Sequence, residues 1–185
     1  TKENVKNKCR REGIIINNGR IKDPIFLKND TYFAHVVLEN GTTQSVREHL
    51  SGTKELAEKN CPLKILENIV ISEALLHDAG KLSEEFFEYM DDIRKNGEQA
   101  RTRIVDHTSA GGRILESLAG KGALFELIGT AVYAHHGLQD NIDMESGETL
   151  YEKRRKKELE FEAIQQRYFE IIDKNLLIKY LRAAH

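Results

Sequence analysis

An apolar run at helical spacing, Leu63, Ile65, Leu66, Ile69, Val70 and Leu75, ends on two adjacent polar side chains, His77 and Asp78, followed at once by Ala79-Gly80. Pro62 suits the first turn of that helix, and its apolar positions are spread too widely for one amphipathic stripe, so a central, buried helix is expected. Neighbours on a helix point about 100° apart. His77 and Asp78 can therefore face one site only where the helix stops, and Gly80 supplies the stop. His135 and His136, followed by Gly137, repeat the arrangement. Two pairs of metal-ligand residue types at two helix ends frame the rest of the reading.

The pattern before these helices differs. Residues 13–17 form a β-branched run, Asn18-Gly19 is a turn signal, and residues 21–27 read as a return strand, which predicts a small hairpin. A further strand is expected over residues 32–38, ending at Asn40-Gly41, after which the pattern is helical. Ser83 caps a helix whose first turn carries Glu84 and Glu85, with Gly97 as its stop. Asp106 caps another that runs through Leu118, and Gly120 and Gly122 separate it from a helix over residues 123–136. From Glu148 onward there is neither Gly nor Pro, and Leu159, Phe161, Ile164, Tyr168, Ile172 and Leu176 recur at helical spacing, so one long helix, broken at most once, is expected there. With 185 residues and no repeat or linker, the chain reads as one mainly α domain: an N-terminal hairpin extension over residues 1–31 and a helical metal-binding core over residues 32–185.

Charge and cysteines narrow the function. The 28 basic and 30 acidic residues give a net charge of -2, too balanced to draw nucleic acid or an anionic membrane to the chain as a whole. Cys9 and Cys61 form no C-x-x-C pair, so neither a zinc knuckle nor a disulfide framework is indicated. No apolar run reaches the ~20 residues of a membrane span, and residues 1–11 are polar and charged, which predicts a soluble cytoplasmic protein.

Five of the seven histidines, His49, His77, His107, His135 and His136, fall on or at the ends of expected helices. Imidazoles and a carboxylate brought together from several helices suit Mn, Fe, Co, Ni or Zn. Asp78 is the best candidate to bridge two ions, and Lys81, three residues on, is placed to meet a phosphate oxygen. His35, in a strand, and His185, at the last position, lack the helix-end setting and are set aside. Asp106 can orient His107 or cap its helix, and the cap is the simpler reading. The basic run over residues 153–157 can contact a nucleic-acid backbone, although a solvated helix face is the commoner use.

The string Leu76-His77-Asp78-Ala79-Gly80-Lys81 resembles the signature of the HD phosphohydrolase superfamily. Glu48-His49-Leu50, Asp106-His107-Thr108-Ser109-Ala110-Gly111 and Ala134-His135-His136-Gly137-Leu138-Gln139-Asp140 narrow it: they are similar to the HD nuclease of type I CRISPR helicase-nucleases, over about residues 32–140. That resemblance implies an HD-superfamily helical fold and a metal-dependent deoxyribonuclease that cuts and degrades single-stranded DNA. It implies a helicase domain in the same or a partner chain, recruited by the surveillance complex Cascade in antiviral defence. It makes His49, His77, Asp78, His107, His135 and His136 ligands of one or two divalent ions (Mn, Ni, Co, Fe or Mg), with Asp78 and Lys81 catalytic. Two departures stand out. Thr108 replaces the more usual Ser, keeping a hydroxyl. The further Asp ligand that the family takes from a later helix has no convincing match, Asp173 being in the wrong context, so one-metal occupancy is compatible with the sequence. The competing readings are an HD hydrolase of nucleotides or cyclic dinucleotides and a metal-bound docking module whose chemistry has lapsed.

Overall fold

The computed structural model describes residues 15–17, 20–37, 41–99, 105–120, 122–136 and 145–184. Strands β1 (Ile15–Asn17) and β2 (Arg20–Lys22) pair antiparallel, with Ile16 opposite Ile21, and form the expected hairpin. Gly13 and the Asn18-Gly19 turn lie outside the described residues. Strand β3 (Phe33–Val36) pairs with β4 (Thr43–Ser45), and helices α1 (Val46–Asn60), α2 (Glu67–Leu76), α3 (Glu84–Asn96), α4 (Ser109–Ala119), α5 (Ala123–Tyr133), α6 (Leu150–Lys156), α7 (Phe161–Phe169) and α8 (Lys174–Ala183) follow. The described part is mainly helical. Among the described residues no helix is long and apolar enough to cross a membrane.

Local signals set most boundaries. Ser45 and Glu48 form a capping box at the start of α1. The Ser83 hydroxyl accepts from the Phe86 N–H at the start of α3, which stops at Gly97 with φ of 56°. Asp23 ends β2 early: its Oδ1 accepts the Ile25 N–H at 3.0 Å, and Pro24 has no N–H to offer a strand partner. The return strand therefore stops at Lys22 instead of reaching Leu27. Residues 25–27 instead strap across the C-terminal region, where Leu27 N donates to Ile171 O at 2.7 Å and Asp173 N to Ile25 O at 2.8 Å.

Two expectations need correction. The central helix begins at Glu67, not Pro62, because Leu63 is extended and residues 64–66 make a 3₁₀ turn. That turn leaves Ile65 84% exposed. From Ile71 onward the helix is buried as expected, packed among α1, α4, α5 and α8. The C-terminal region holds three helices, α6 to α8, with two breaks. At the first, Lys157 turns extended, pairs with Asp106, and gives its carbonyl to Arg113 Nη1 at 3.1 Å. At the second, Asp173 caps α8 by accepting the Leu176 N–H at 2.9 Å. Hydrogen bonds to distant parts of the chain thus interrupt a periodicity that is continuous in the sequence.

The core joins Val46 and Leu50 of α1, Leu75 and Leu76 of α2, Ile114 of α4 and Tyr168 of α7. Tyr168, fully buried, donates its hydroxyl to Leu75 O at 3.0 Å and so ties α7 to the last turn of α2. Helix α4 lies against α2 more closely than ordinary side chains permit. A Cβ on Gly111 would stand 1.9 Å from Leu76 O, and one on Gly112 would stand 2.2 Å from the Tyr133 ring.

Candidate metal centre

Helix α2 ends at His77, which keeps helical angles, while Asp78 leaves them at φ -107°, ψ 20°, and a 3₁₀ turn over residues 79–82 follows. That change of direction brings both adjacent side chains to one place. Asp78 is 3% exposed and its two oxygens face different histidines. Oδ2 lies 2.7 Å from His49 Nε2, 3.2 Å from His77 Nε2 and 2.9 Å from Lys81 Nζ. Oδ1 lies 3.2 Å from His135 Nε2 and 3.7 Å from His107 Nε2. The result is two donor groups that share Asp78: His49 and His77 on one side, His107, His135 and His136 on the other. All six residues picked out in the sequence are brought together.

The backbone fixes what these rings present. His77 Nδ1 lies 2.9 Å from Ala74 O, His107 Nδ1 3.1 Å from Val105 O, and His135 Nδ1 2.7 Å from Val132 O. A carbonyl only accepts, so in each pair Nδ1 carries the proton, and the neutral ring turns the bare lone pair of Nε2 inward. There the ring nitrogens crowd together: His49 and His77 Nε2 are 3.2 Å apart, and His107 and His136 Nε2 are 2.6 Å apart, with His77 and His107 each turning a lone pair to its neighbour. Asp78 Oδ1 and His135 Nε2 are buried without a hydrogen-bond partner, so at 3.2 Å a carboxylate oxygen faces a bare ring nitrogen. A buried carboxylate ringed by Nε2 atoms, three of them fixed as inward lone pairs, fits divalent cations, which would satisfy the partnerless Asp78 Oδ1 and His135 Nε2.

The electrostatics agree. Burial pushes His107 down against the pull of the Val105 carbonyl, and burial together with His135 pushes His136 down. Both shifts favour the neutral form that binds metal.

Lys81 is 5% exposed, one turn beyond Asp78, with its ammonium 5.8 Å from the centre of the Phe86 ring. Asp106 does not cap α4, whose N-cap is Thr108: it accepts the Thr108 N–H at 2.8 Å and the Thr108 hydroxyl at 2.7 Å just ahead of the helix, while the Val105 carbonyl orients His107. The Thr108 hydroxyl is thus committed to Asp106. Asp173 sits at the start of α8, outside both donor groups, and among the described residues Asp78 is the one carboxylate in them. Residues 137–140, part of the last motif, lie outside the described residues.

His35 is the residue that sequence reasoning missed. Strand β3 pairs it with Gln44, just before the start of α1, and so folds it over His49: the ring centres are 4.9 Å apart and His35 Nε2 is 3.4 Å from Lys81 Nζ. The signal was available in the short β3–β4 connection leading straight into α1. A helix-end criterion could not see it.

The family model described as Cas3, HD domain matches residues 31–180. The match reaches well past the motifs at residues 135–140, over the C-terminal helices. Neither the curated proteins nor the solved structures yielded a match. With the Asp78-centred cluster lying wholly within the matched span, the chain belongs to the Cas3 HD domain family, metal-dependent HD-type nucleases of CRISPR systems.

Proposed function

We propose that this chain is one HD nuclease domain, residues 1–185, that hydrolyses single-stranded DNA both internally and from ends in a type I CRISPR antiviral system. The observation that carries it is the division of Asp78, with one oxygen toward His49 and His77 and the other toward His107 and His135. A carboxylate so placed would serve as a ligand to a cation held with the histidines on either side of it. His49, His77, Asp78, His107, His135 and His136 would be the ligands, and a bound divalent cation supplies Lewis acidity and a water acid enough to attack phosphorus near neutral pH. The residues do the rest. Three backbone carbonyls lock the rings of His77, His107 and His135, so the donor atoms need no reorganisation when substrate arrives. Lys81, held by Asp78 at 2.9 Å, offers its ammonium to the charge that grows on the phosphate oxygens as the P–O bond breaks.

The even charge balance gives the domain little general attraction for DNA. The proposal therefore includes a cytoplasmic setting in which a helicase, in the same or a partner chain and recruited by Cascade, feeds strand to the centre.

The test is degradation of circular single-stranded DNA after chelation and return of Mn, Ni or Mg, beside Asp78→Asn. Metal-dependent cutting that falls by about 10³-fold or more in the variant is the expected result. A folded protein that binds metal and leaves circular strand intact would overturn the nuclease reading, and comparison with linear strand separates internal from end-directed cutting.

A further inference from the structure

Five consecutive basic residues, 153–157, lie in and just after α6. Four of them are engaged. Arg155 Nε lies 2.8 Å from Glu116, Lys156 Nζ lies 2.6 Å from Glu148, Lys157 pairs with Asp106, and Lys153 also has an interaction partner. Most of the run is therefore a paired helix face, as such runs usually are.

Arg154 is different. Its Nη1 is buried and has no hydrogen-bond partner. Arg154 as a whole is half-buried, and a guanidinium cannot shed its charge under ordinary conditions, so its enclosed Nη1 is left without an anion. The nearby carboxylate that acts on it, Asp106, is already taken by the Thr108 N–H and hydroxyl, the Ser109 hydroxyl and the Lys157 ammonium. Burial outweighs that one attraction and draws the Arg154 pKa below its usual value. Lys157, three residues on, pairs with Asp106, the residue before His107, so this end of α6 lies beside the segment that carries His107. An arginine with an unpartnered guanidinium nitrogen thus stands beside the segment that brings His107 to a centre suited to phosphodiester chemistry.

We propose that Arg154 binds a backbone phosphate of the DNA strand, one that flanks the bond being cut, on the His107 side of the metal centre. Two parallel N–H groups of a guanidinium match two phosphate oxygens, a fit that an ammonium cannot reproduce. This reading rests on the nuclease assignment and deepens it. It makes Arg154 a substrate-binding residue that needs no metal for its own contact.

The test separates the two readings by measuring binding apart from cutting. Anisotropy of a short labelled oligothymidylate, at low salt in chelator so that nothing is cut, compares wild type with Arg154→Gln, Arg154→Lys and Lys156→Gln. Arg154→Gln is expected to weaken binding about tenfold and to reduce the slope of log affinity against log salt by about 0.7, one single-strand phosphate contact. Arg154→Lys should fall between wild type and Arg154→Gln, and Lys156→Gln, which loses only a paired charge, should stay within about twofold of wild type. With Mn restored, Arg154→Gln should raise KM about tenfold and leave kcat within about threefold, as for a contact equally strong before and during reaction. The unfolding midpoint of Arg154→Gln should equal or exceed that of wild type, since a half-buried charge with an unpartnered Nη1 is removed.

The proposal is overturned by a wild type that binds no strand at low salt, by equal affinity and salt slope in wild type and Arg154→Gln, by an equal loss in Lys156→Gln, or by a midpoint several degrees lower in Arg154→Gln. Arg154-dependent binding without cutting would leave this site standing and sink the nuclease reading. Cutting without Arg154 dependence would do the reverse.

Discussion

Gly80 should be the residue at which the smallest addition does the most damage to the centre without removing a ligand. It lies in the 3₁₀ turn between Asp78 and Lys81, and a Cβ there would stand 2.3 Å from His107 O and 2.6 Å from His107 Cα. Those are backbone atoms, and they cannot swing aside. Ordinary contact begins near 3.4 Å, so in Gly80→Ala the turn carrying Asp78 and the segment carrying His107 must part by about 1 Å. Both are restrained: Lys81 N donates to Asp78 O at 3.0 Å and Ser83 N to Gly80 O at 3.1 Å, while His107 is tied to Val105 O. Overpacking of this kind costs about 1–3 kcal/mol, which for a chain of this size lowers the unfolding midpoint by roughly 3–10 °C. A ligand displaced by about 1 Å also costs on the order of 10²-fold in activity. The assay is thermal unfolding in chelator and again in Mn, with nuclease activity alongside. Wild type at about 100 times Kd should gain about 2.7 kcal/mol from metal, and Gly80→Ala much less. Gly52→Ala is the control: it lies within α1 with nothing near the added carbon, and should gain about 0.5–1 kcal/mol. A Gly80→Ala protein that melts with wild type and rises equally in Mn would refute the reasoning.

Two further predictions concern charges away from the donor groups. Burial raises the Glu73 pKa to about 7, from 4.5 in an unfolded chain, so the fold favours its neutral form; that contribution is complete below about 4.5 and is lost as pH rises through about 7. In chelator the protein should lose about 1–2 kcal/mol of stability from this group between about pH 5 and pH 8, after discounting for solvent screening, and Glu73→Gln should flatten that part of the profile. An unchanged profile in urea titrations would show that Glu73 is solvated. Lys54, 2% exposed, pairs with Asp23 at 2.7 Å and with Glu58, its ammonium 5.7 Å from the centre of the Tyr180 ring. Lys54→Ala should cost about 2–4 kcal/mol and Lys54→Met about half of that, because Met refills the space; a shift in urea midpoint worth under about 0.5 kcal/mol for Lys54→Ala would refute the pairing.

What the sequence made legible and what it hid divide along a physical line. The six clustered residues could be found because each sits near a helix terminus, and termini carry local chemistry: Ser83 caps α3, Gly97 ends it, and Asp78 leaves the helix just before Gly80. The C-terminal breaks could not be found by period, since Leu159, Phe161 and Ile164 continue the spacing across one of them. Those breaks depend on partners far along the chain, Lys157 with Asp106 and Asp173 with Ile25. His35 and Arg154 were hidden for the same reason. One is brought in by a strand that folds back over α1, and the other is singled out only because its neighbours in the run are paired and it is not.

The same division explains how the centre is held. Its ligands are side chains, but what orients them is backbone: the carbonyls of Ala74, Val105 and Val132 lock three rings. Backbone can press that close only where a side chain is missing. Gly80 lets His107 reach the Asp78 turn, and Gly111 lets α4 touch Leu76 O, one residue before His77. Read from sequence, Gly80 looks like a helix stop and Gly111 like a weak point in a helix. In the fold both set how near the two donor groups come to Asp78. A search for the determinants of such a centre should therefore weigh glycines next to the ligands as heavily as the ligands themselves, because a replaced ligand removes one bond to a cation whereas a Cβ at Gly80 moves the whole His107 side away from the carboxylate they share.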